Sequence, residues 1–361
     1  MPDKFLFVMA GGGTGGHVIP LLAVARELRS RGDDCIFVGT ERGAEARLVP
    51  AEGFRLEFIR TGGLQGVSVG RKIAAAFELV FATWNQFRKM GSRRPAAVFS
   101  LGGYVAGPPV LGALFRRIPV VVMEPNAVPG LTNRWIARYV RLALINFPET
   151  ARFFPAGRAE MTGLPVREEF FHIAPHAGTV PFTVLITGGS QGALTLNRAA
   201  RDAWPKLREL GDAIYVIHQT GSLHFEEFRI GFETSGVNGE IVPFITDMPS
   251  AYARADLVIC RSGAGAVSEL AAAGKPSVLI PYPFAADDHQ RHNAVEFRNA
   301  GAALLVSNAE WTGGRMFEII QQLSGDRGRL HTMGEAARSL AHTGAASRAA
   351  DILEGVARES R

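Results

Sequence analysis

The stretch Phe5-Leu-Phe-Val-Met-Ala-Gly-Gly-Gly-Thr-Gly-Gly-His17-Val-Ile-Pro20 decides the fold. An apolar run of strand length meets five glycines in six positions, and a helix-like run from Leu21 to Arg29 follows. Strand, tight turn and helix N-terminus in that order make a βα unit whose glycines let the backbone reach φ > 0 and approach a ligand closely. Free N–H groups and the positive end of the helix dipole then favour an anion, usually a phosphate. Half a chain later the pattern recurs in Val184-Leu-Ile-Thr-Gly-Gly-Ser-Gln-Gly-Ala193. Each half therefore opens with its own phosphate-type turn.

Outward from these turns, strand-like runs alternate with helical patterns. The runs are 5–9, 34–38, 56–59, 97–100, 120–123 and 142–145 in the first half, and 183–187, 213–219, 240–243, 257–260, 277–280 and 302–306 in the second. Many are continuously apolar rather than alternating, the mark of strands buried on both faces of a parallel sheet. The expected fold class is α/β, with two doubly wound, Rossmann-like domains facing an interdomain cleft. The Pro- and Gly-rich stretch 156–181, which includes Pro175 and Gly178, reads as the linker. The expected domains are 1–163 and 164–341, with a last helix in 342–361 that either closes the second domain or crosses back to the first.

A chain of 361 residues exceeds what one core usually organises, and 47% hydrophobic with 20% charged residues is ordinary for a folded protein. The net charge of +5 suits an anionic partner, either a phosphate ligand or an acidic membrane surface. No basic block alternates with aromatics, so nucleic acid is not an expected partner. Cys35 and Cys260 sit in separate apolar runs and read as buried small hydrophobes. No signal-peptide pattern opens the chain, and no apolar run reaches the roughly 18 residues of a spanning helix. There is no Gly-x-x-x-x-Gly-Lys-Ser/Thr loop and no His-Glu-x-x-His, so neither a P-loop nor a metal site is expected.

Gly11-x-Gly13-x-x-Gly16 also matches the dinucleotide fingerprint, with Glu41 as an acid after the second strand, which keeps a nicotinamide or flavin oxidoreductase as an alternative. His17, at the tip of the turn, is either a general base or a loop cap. Ser100-Leu-Gly-Gly-Tyr104 is a third glycine turn. Glu124 and Asn126 follow the strand 120–123, where open α/β sheets bind ligands, and are candidates for base catalysis and hydroxyl recognition. Ser262-Gly-Ala-Gly-Ala-Val-Ser-Glu269 offers a small-residue helix start to a phosphate, with Glu269 placed for a ribose diol. The cluster Asp287-Asp-His-Gln290 suits sugar hydroxyls. A helical stretch at 71–89 carries Ile73, Phe77, Val80, Phe81, Trp84 and Phe87 on one stripe between basic ends. Such a stripe fits either a core face or an anionic bilayer.

Taken together, Ala10-Gly-Gly-Gly-Thr-Gly-Gly-His-Val-Ile-Pro20, Ser100-Leu-Gly-Gly-Tyr-Val-Ala-Gly-Pro108, Asn126-Ala-Val-Pro-Gly-Leu-Thr-Asn-Arg134, Gly188-Gly-Ser-Gln-Gly-Ala193, Arg261-Ser-Gly-Ala264 and Asp288-His-Gln-x-x-Asn293 resemble the MurG family, N-acetylglucosaminyltransferases of glycosyltransferase family 28. The resemblance implies a GT-B fold and an inverting hexosyl transfer without metal or cofactor. GlcNAc would pass from UDP-GlcNAc to the 4-hydroxyl of MurNAc in undecaprenyl-diphospho-MurNAc-pentapeptide (lipid I), giving lipid II for peptidoglycan. It further implies a peripheral protein on the cytoplasmic face of the inner membrane. Its partners there would be the anionic bilayer, through Phe77, Phe81 and Trp84, and other cell-wall synthesis proteins.

By the same resemblance, Thr14, Gly15 and Gly16 would touch the donor or the acceptor diphosphate. Asn126 and Gln290 would hold GlcNAc hydroxyls, and Arg167 and Ser190 the UDP phosphates. Ile245 with Phe244 would meet the uracil. Ala264, Gly265, Ala266, Val267, Ser268 and Glu269 would supply the helix N-terminus and the ribose contact. His17 is the expected base, with Glu124 second. The chain departs from the family at Pro125, where glutamine is usual, and at Leu164, where asparagine is common. A same-fold UDP-GlcNAc 2-epimerase and a sugar-nucleotide-binding subunit without turnover stand as further alternatives.

Overall fold

The computed structural model describes residues 4–60, 69–174 and 180–360, and only the backbone of 69–76. The side chains of Arg71, Lys72 and Ile73, and the linker residues Pro175 and Gly178, lie outside the described residues. The chain forms two compact units, Met1–Pro165 with Gly344–Arg361, and Val166–Thr343.

In the first unit the order is β1 (Leu6–Gly11), α1 (Gly15–Ser30), β2 (Asp34–Gly39), α2 (Glu45–Ala51), β3 (Arg55–Phe58), α3 (Val69–Arg93), β4 (Ala97–Gly102), α4 (Gly107–Phe115), β5 (Val120–Glu124), α5 (Leu131–Ile136), β6 (Leu142–Ile145) and β7 (Ala159–Met161). Among the described residues the strands make one parallel sheet in the order β3-β2-β1-β4-β5-β6-β7. Its central strands are fully buried, as their continuous apolar runs require. β1 and β4 run further than the sequence indicates, into Gly11 and Gly102. The register slips by one residue there, so that Gly11 pairs with Gly102. A strand is not stopped by a glycine, only weakened by it. β7 is a correction: it lies inside the stretch expected to be linker and still pairs with β6.

The second unit follows with β8 (Phe182–Thr187), α6 (Leu194–Glu209), β9 (Ile214–Gln219), α7 (Phe225–Ser235), β10 (Gly239–Val242), α8 (Met248–Arg254), β11 (Leu257–Cys260), α9 (Ala264–Ala273), β12 (Ser277–Leu279), α10 (His289–Asn299), β13 (Ala303–Leu305), α11 (Gly313–Ser324) and α12 (Arg327–Ser339). Its parallel sheet has the order β10-β9-β8-β11-β12-β13. Cys35 and Cys260 are free and buried.

The last helix, α13 (Ala345–Glu359), returns to the first unit and packs on α1 and β4. Its buried face is Ala349, Ala350 and Leu353. Arg31 of α1 fastens it, donating to Asp351 at 2.6 Å and to the Ser347 hydroxyl at 2.7 Å while also holding Glu27.

α3 inverts the usual amphipathic arrangement. Against α4 it turns Ala82, Thr83, Gln86 and Met90, all buried. A methyl group at Gly112 of α4 would lie 3.0 Å from the Phe87 nitrogen, so the two backbones are in close contact. Phe77, Val80, Phe81 and Trp84 are instead 73, 68, 68 and 52% exposed. These four residues of the 3.6-residue stripe thus face outward, while Phe87 is half-buried under Arg116, and Arg88 stacks on Trp84 at 4.9 Å. Among the described residues no helix is long and apolar enough to cross a membrane.

Leu353→Ala removes a side chain with no exposure at the centre of the α13 contact. We expect a loss of about 2–5 kcal/mol in urea unfolding. A loss below about 1 kcal/mol would show that α13 is only peripherally attached.

Candidate active site

Each sheet reverses its winding at one point, between β1 and β4 in the first unit and between β8 and β11 in the second. Loops leaving the carboxyl ends of strands at such a switch point are where open α/β sheets bind ligands. All the glycine turns singled out in the sequence leave these strands.

The glycines of the opening turn divide their tasks. Gly11 and Gly12 face inward, where an added methyl group would lie 2.9 Å from Leu21 Cδ1 and 2.5 Å from the Glu45 carboxyl carbon. Gly13 has φ +90° and packs against the ring of Tyr104. A methyl group at Gly15 or Gly16 would meet only Ile19 or Thr14, at 3.7 Å. As the first residues of α1, these two have no intrahelical acceptor for their N–H groups. Thr14 is the exposed N-cap, and its hydroxyl makes no capping bond.

The turn is held from behind by Glu45, 1% exposed. Its carboxylate accepts the Gly13 N–H, the Thr40 N–H and the Thr40 hydroxyl, each at 2.8 Å. The Gly13 carbonyl accepts the Ala44 N–H at 3.3 Å. Burial works to raise the Glu45 carboxyl, but hydrogen bonds from Thr40, its own N–H and Gly13 outweigh this and hold it below its ordinary range. Glu41, the acid that the dinucleotide fingerprint would use, is exposed.

The His17 ring lies beside the third glycine turn: a methyl group at Gly103 would sit 3.7 Å from His17 Cε1. The Gly103 carbonyl accepts the Thr132 hydroxyl at 3.2 Å. At Gly102 a methyl group would meet Asn133 Oδ1 at 2.9 Å, and Asn133 Nδ2 donates to Glu124 at 2.8 Å. Glu124 is 2% exposed and fully engaged. Besides Asn133 it accepts the Asn126 N–H at 3.0 Å, Asn126 Nδ2 at 3.2 Å and the Gly130 N–H at 3.2 Å. Burial pushes the Glu124 carboxyl up to about 7 against these four donors. His17, Glu124 and Asn126 are therefore linked through 102–103 and 132–133. The two departures from the family share one support: Asn146 donates to the Pro125 carbonyl at 3.1 Å and accepts the Leu164 N–H at 2.9 Å.

In the second unit the turn 188–193 is pinned by Gln219, 1% exposed. Its Nε2 donates to the Gly189 carbonyl at 2.8 Å and its Oε1 accepts the Ile245 N–H at 3.0 Å. One buried amide thus ties the turn to the loop of Phe244 and Ile245. Gly192 (φ +75°) packs so closely that a methyl group would overlap the Thr220 carbonyl at 1.8 Å. Asn197 Nδ2 donates to that same carbonyl at 2.9 Å and its Oδ1 faces His218 Nε2 at 3.1 Å. With the amide oriented this way, His218 carries its proton on Nε2. Burial pushes His218 down to about 3. Ser190 is exposed at the tip of the turn.

Opposite, across the switch point, α9 begins with Ala264, Gly265 and Ala266. Methyl groups at Gly263 and Gly265 would meet nothing within 4 Å, so its N-terminus is open. Val267 and Ser268 are buried below it. Burial pushes Glu269 up to about 7, with Arg167 pulling it back. Arg167 is exposed, stacked on Phe170 at 5.0 Å. Gln290 accepts the Tyr282 N–H at 2.9 Å through Oε1, which fixes its amide orientation, while its carbonyl accepts the Ser262 hydroxyl at 2.7 Å.

The glycine turns were legible in the sequence; Glu45, Asn133, Asn197 and Gln219 were missed. Asn133 stood within a quoted motif. The only trace of Glu45 was Gly39 and Gly43 shortly before it, where methyl groups would lie within 2.4 and 2.1 Å of its side chain.

The N-terminal domain of glycosyltransferase family 28 matches residues 7–145, and its C-terminal domain matches residues 183–354. A protein of Solibacter usitatus (strain Ellin6076) is 61% identical over 352 residues, spanning 98% of this chain and 96% of its own length. One of Myxococcus xanthus (strain DK1622) is 40% identical, spanning 96% and 91%. Both carry the name UDP-N-acetylglucosamine--N-acetylmuramyl-(pentapeptide) pyrophosphoryl-undecaprenol N-acetylglucosamine transferase. The crystal structure of Acinetobacter baumannii MurG superposes with a TM-score of 0.81 at 34% identity, covering 98% of this chain and all of that one.

His218 gives the second unit a signature in pH. With its proton affinity depressed from 6.5 to about 3 in the folded state, its contribution is complete above pH 6.5 and is lost as pH falls towards 3. Between pH 7 and 5 the folded chain should lose about 2 kcal/mol that a His218→Gln variant does not lose. Equal losses in urea unfolding would contradict the assignment.

Proposed function

The chain belongs to glycosyltransferase family 28, and from that premise we propose that it transfers GlcNAc from UDP-GlcNAc to lipid I, giving lipid II for peptidoglycan. The observation that carries this is the near full-length likeness to transferases of that name, which spans both units. The second unit takes the donor. The open N-terminus of α9, the turn 188–193 with Ser190, and Arg167 meet the diphosphate charge. Glu269 accepts the ribose hydroxyls, and Phe244 with Ile245 flanks the uracil. Asn126 and Gln290 hold GlcNAc hydroxyls through amides whose orientations are set by Glu124 and Tyr282.

The first unit takes the acceptor, with its diphosphate at Thr14, Gly15 and Gly16. The MurNAc 4-hydroxyl oxygen attacks the anomeric carbon of GlcNAc as the bond to the UDP oxygen breaks. The hydroxyl proton passes to His17, UDP departs as the anion, and the anomeric configuration inverts. Glu124, with four N–H donors on its two oxygens, serves the reaction by holding Asn126 rather than as an open base. The exposed face of Phe77, Val80, Phe81 and Trp84 rests on the anionic cytoplasmic surface of the inner membrane, where the lipid acceptor resides.

UDP release measured with a short-chain lipid I analogue tests the reading. Release should depend on the analogue, and release at the same rate without it would instead indicate a 2-epimerase. For the membrane contact, Phe81→Ser with Trp84→Ser should lower binding to anionic vesicles by about tenfold. Turnover of the short-chain analogue should stay unchanged. Undiminished vesicle binding would remove this face from the account.

A further inference from the structure

We propose that Glu45 is a positioning residue for the acceptor, holding the opening turn so that the N–H groups of Gly15 and Gly16 face the acceptor's diphosphate. The inference rests on the assignment of that turn to the acceptor and adds the device that makes it rigid.

The geometry around Glu45 is specific. Both polar atoms of Gly13 are taken by the start of α2: its N–H goes to the Glu45 carboxylate and its carbonyl receives the Ala44 N–H. Gly13 is thereby fixed at φ +90°, the residue at which the chain swings from β1 towards α1. The space that Glu45 occupies exists only because three neighbouring residues lack side chains. Methyl groups at Gly12, Gly39 and Gly43 would each fall within 2.5 Å of it. Gly12 therefore belongs to the housing of a buried carboxylate, not to the ligand.

Among the described residues no basic side chain pairs with this carboxylate, so dipoles alone compensate its charge. A negative charge behind an anion-binding turn is electrostatically adverse, so its presence needs a reason. Glu45 must accept from two sides at once: one oxygen takes the Thr40 N–H and hydroxyl, the other the Gly13 N–H. A carboxylate meets that requirement, whereas an amide of the same shape has a single acceptor oxygen and would set its NH2 group against an N–H. Glu45 itself faces away from ligand, which separates a positioning role from a catalytic one.

The test compares Glu45→Gln, Thr40→Val and Gly15→Ala by steady-state kinetics with UDP-GlcNAc and the short-chain lipid I analogue. Glu45→Gln should raise KM for the analogue by about tenfold and Thr40→Val by about threefold, through the lost or opposed hydrogen bonds. KM for UDP-GlcNAc, whose nucleotide is assigned to the other unit, should stay within about twofold in both. A general loss of structure would move both substrates together, and that outcome overturns the proposal, as does no change in either. If Glu45→Gln fails to fold, Thr40→Val, which keeps the carboxylate and two of its donors, decides alone. If Gly15→Ala weakens the analogue while the other two variants do not, the turn keeps its ligand and Glu45 loses its role. If Gly15→Ala leaves the analogue unaffected, the acceptor assignment of the turn falls, and the role of Glu45 with it.

Discussion

A backbone N–H binds an anion strongly only if the peptide that presents it is already fixed, because otherwise the ligand must supply the ordering. Both units meet this constraint with one buried polar side chain behind a glycine turn. In the first, Glu45 grips Gly13 and Thr40; in the second, Gln219 grips Gly189 and Ile245. The choice of side chain follows from what is offered. Glu45 faces only donors, so it is an acid. Gln219 faces one carbonyl and one N–H, so it is an amide. Much else follows from these grips, including the glycines at 12, 39 and 43 that exist to make room.

The sequence made the two sheets legible because strands buried on both faces read as unbroken apolar runs, as in β5 and β8. The turns were legible because glycines stood directly after such runs. What ties each turn down was not legible, since the contacts join residues 32 positions apart for Gly13 with Glu45 and 26 apart for Gln219 with Ile245. No local pattern encodes such a pairing. β7 was lost for a different reason: three residues in a Pro- and Gly-rich stretch carry too little periodicity to stand out. The identity of α3 as a helix was plain, but periodicity finds a face without saying what it faces. Only the packing of Ala82, Gln86 and Met90 on α4 shows that the aromatic side is the outer one.

That inversion has a physical cost that water alone would not offset. Thr83 Oγ1 and Gln86 Nε2 are buried without hydrogen-bond partners among the described residues, while Phe77, Phe81 and Trp84 stand in solvent. Such an arrangement fits a helix whose outer face meets an apolar phase. In the proposed reaction the lipid acceptor would supply one.

In the proposed reaction the two turns serve different ligands. Amide hydrogen exchange followed peptide by peptide tests it most directly. UDP alone should slow exchange at 188–193 and 264–269 and leave 13–17 at the ligand-free rate, while the short-chain lipid I analogue should do the reverse. Protection of 13–17 by UDP alone would contradict the division and return the opening turn to the nucleotide.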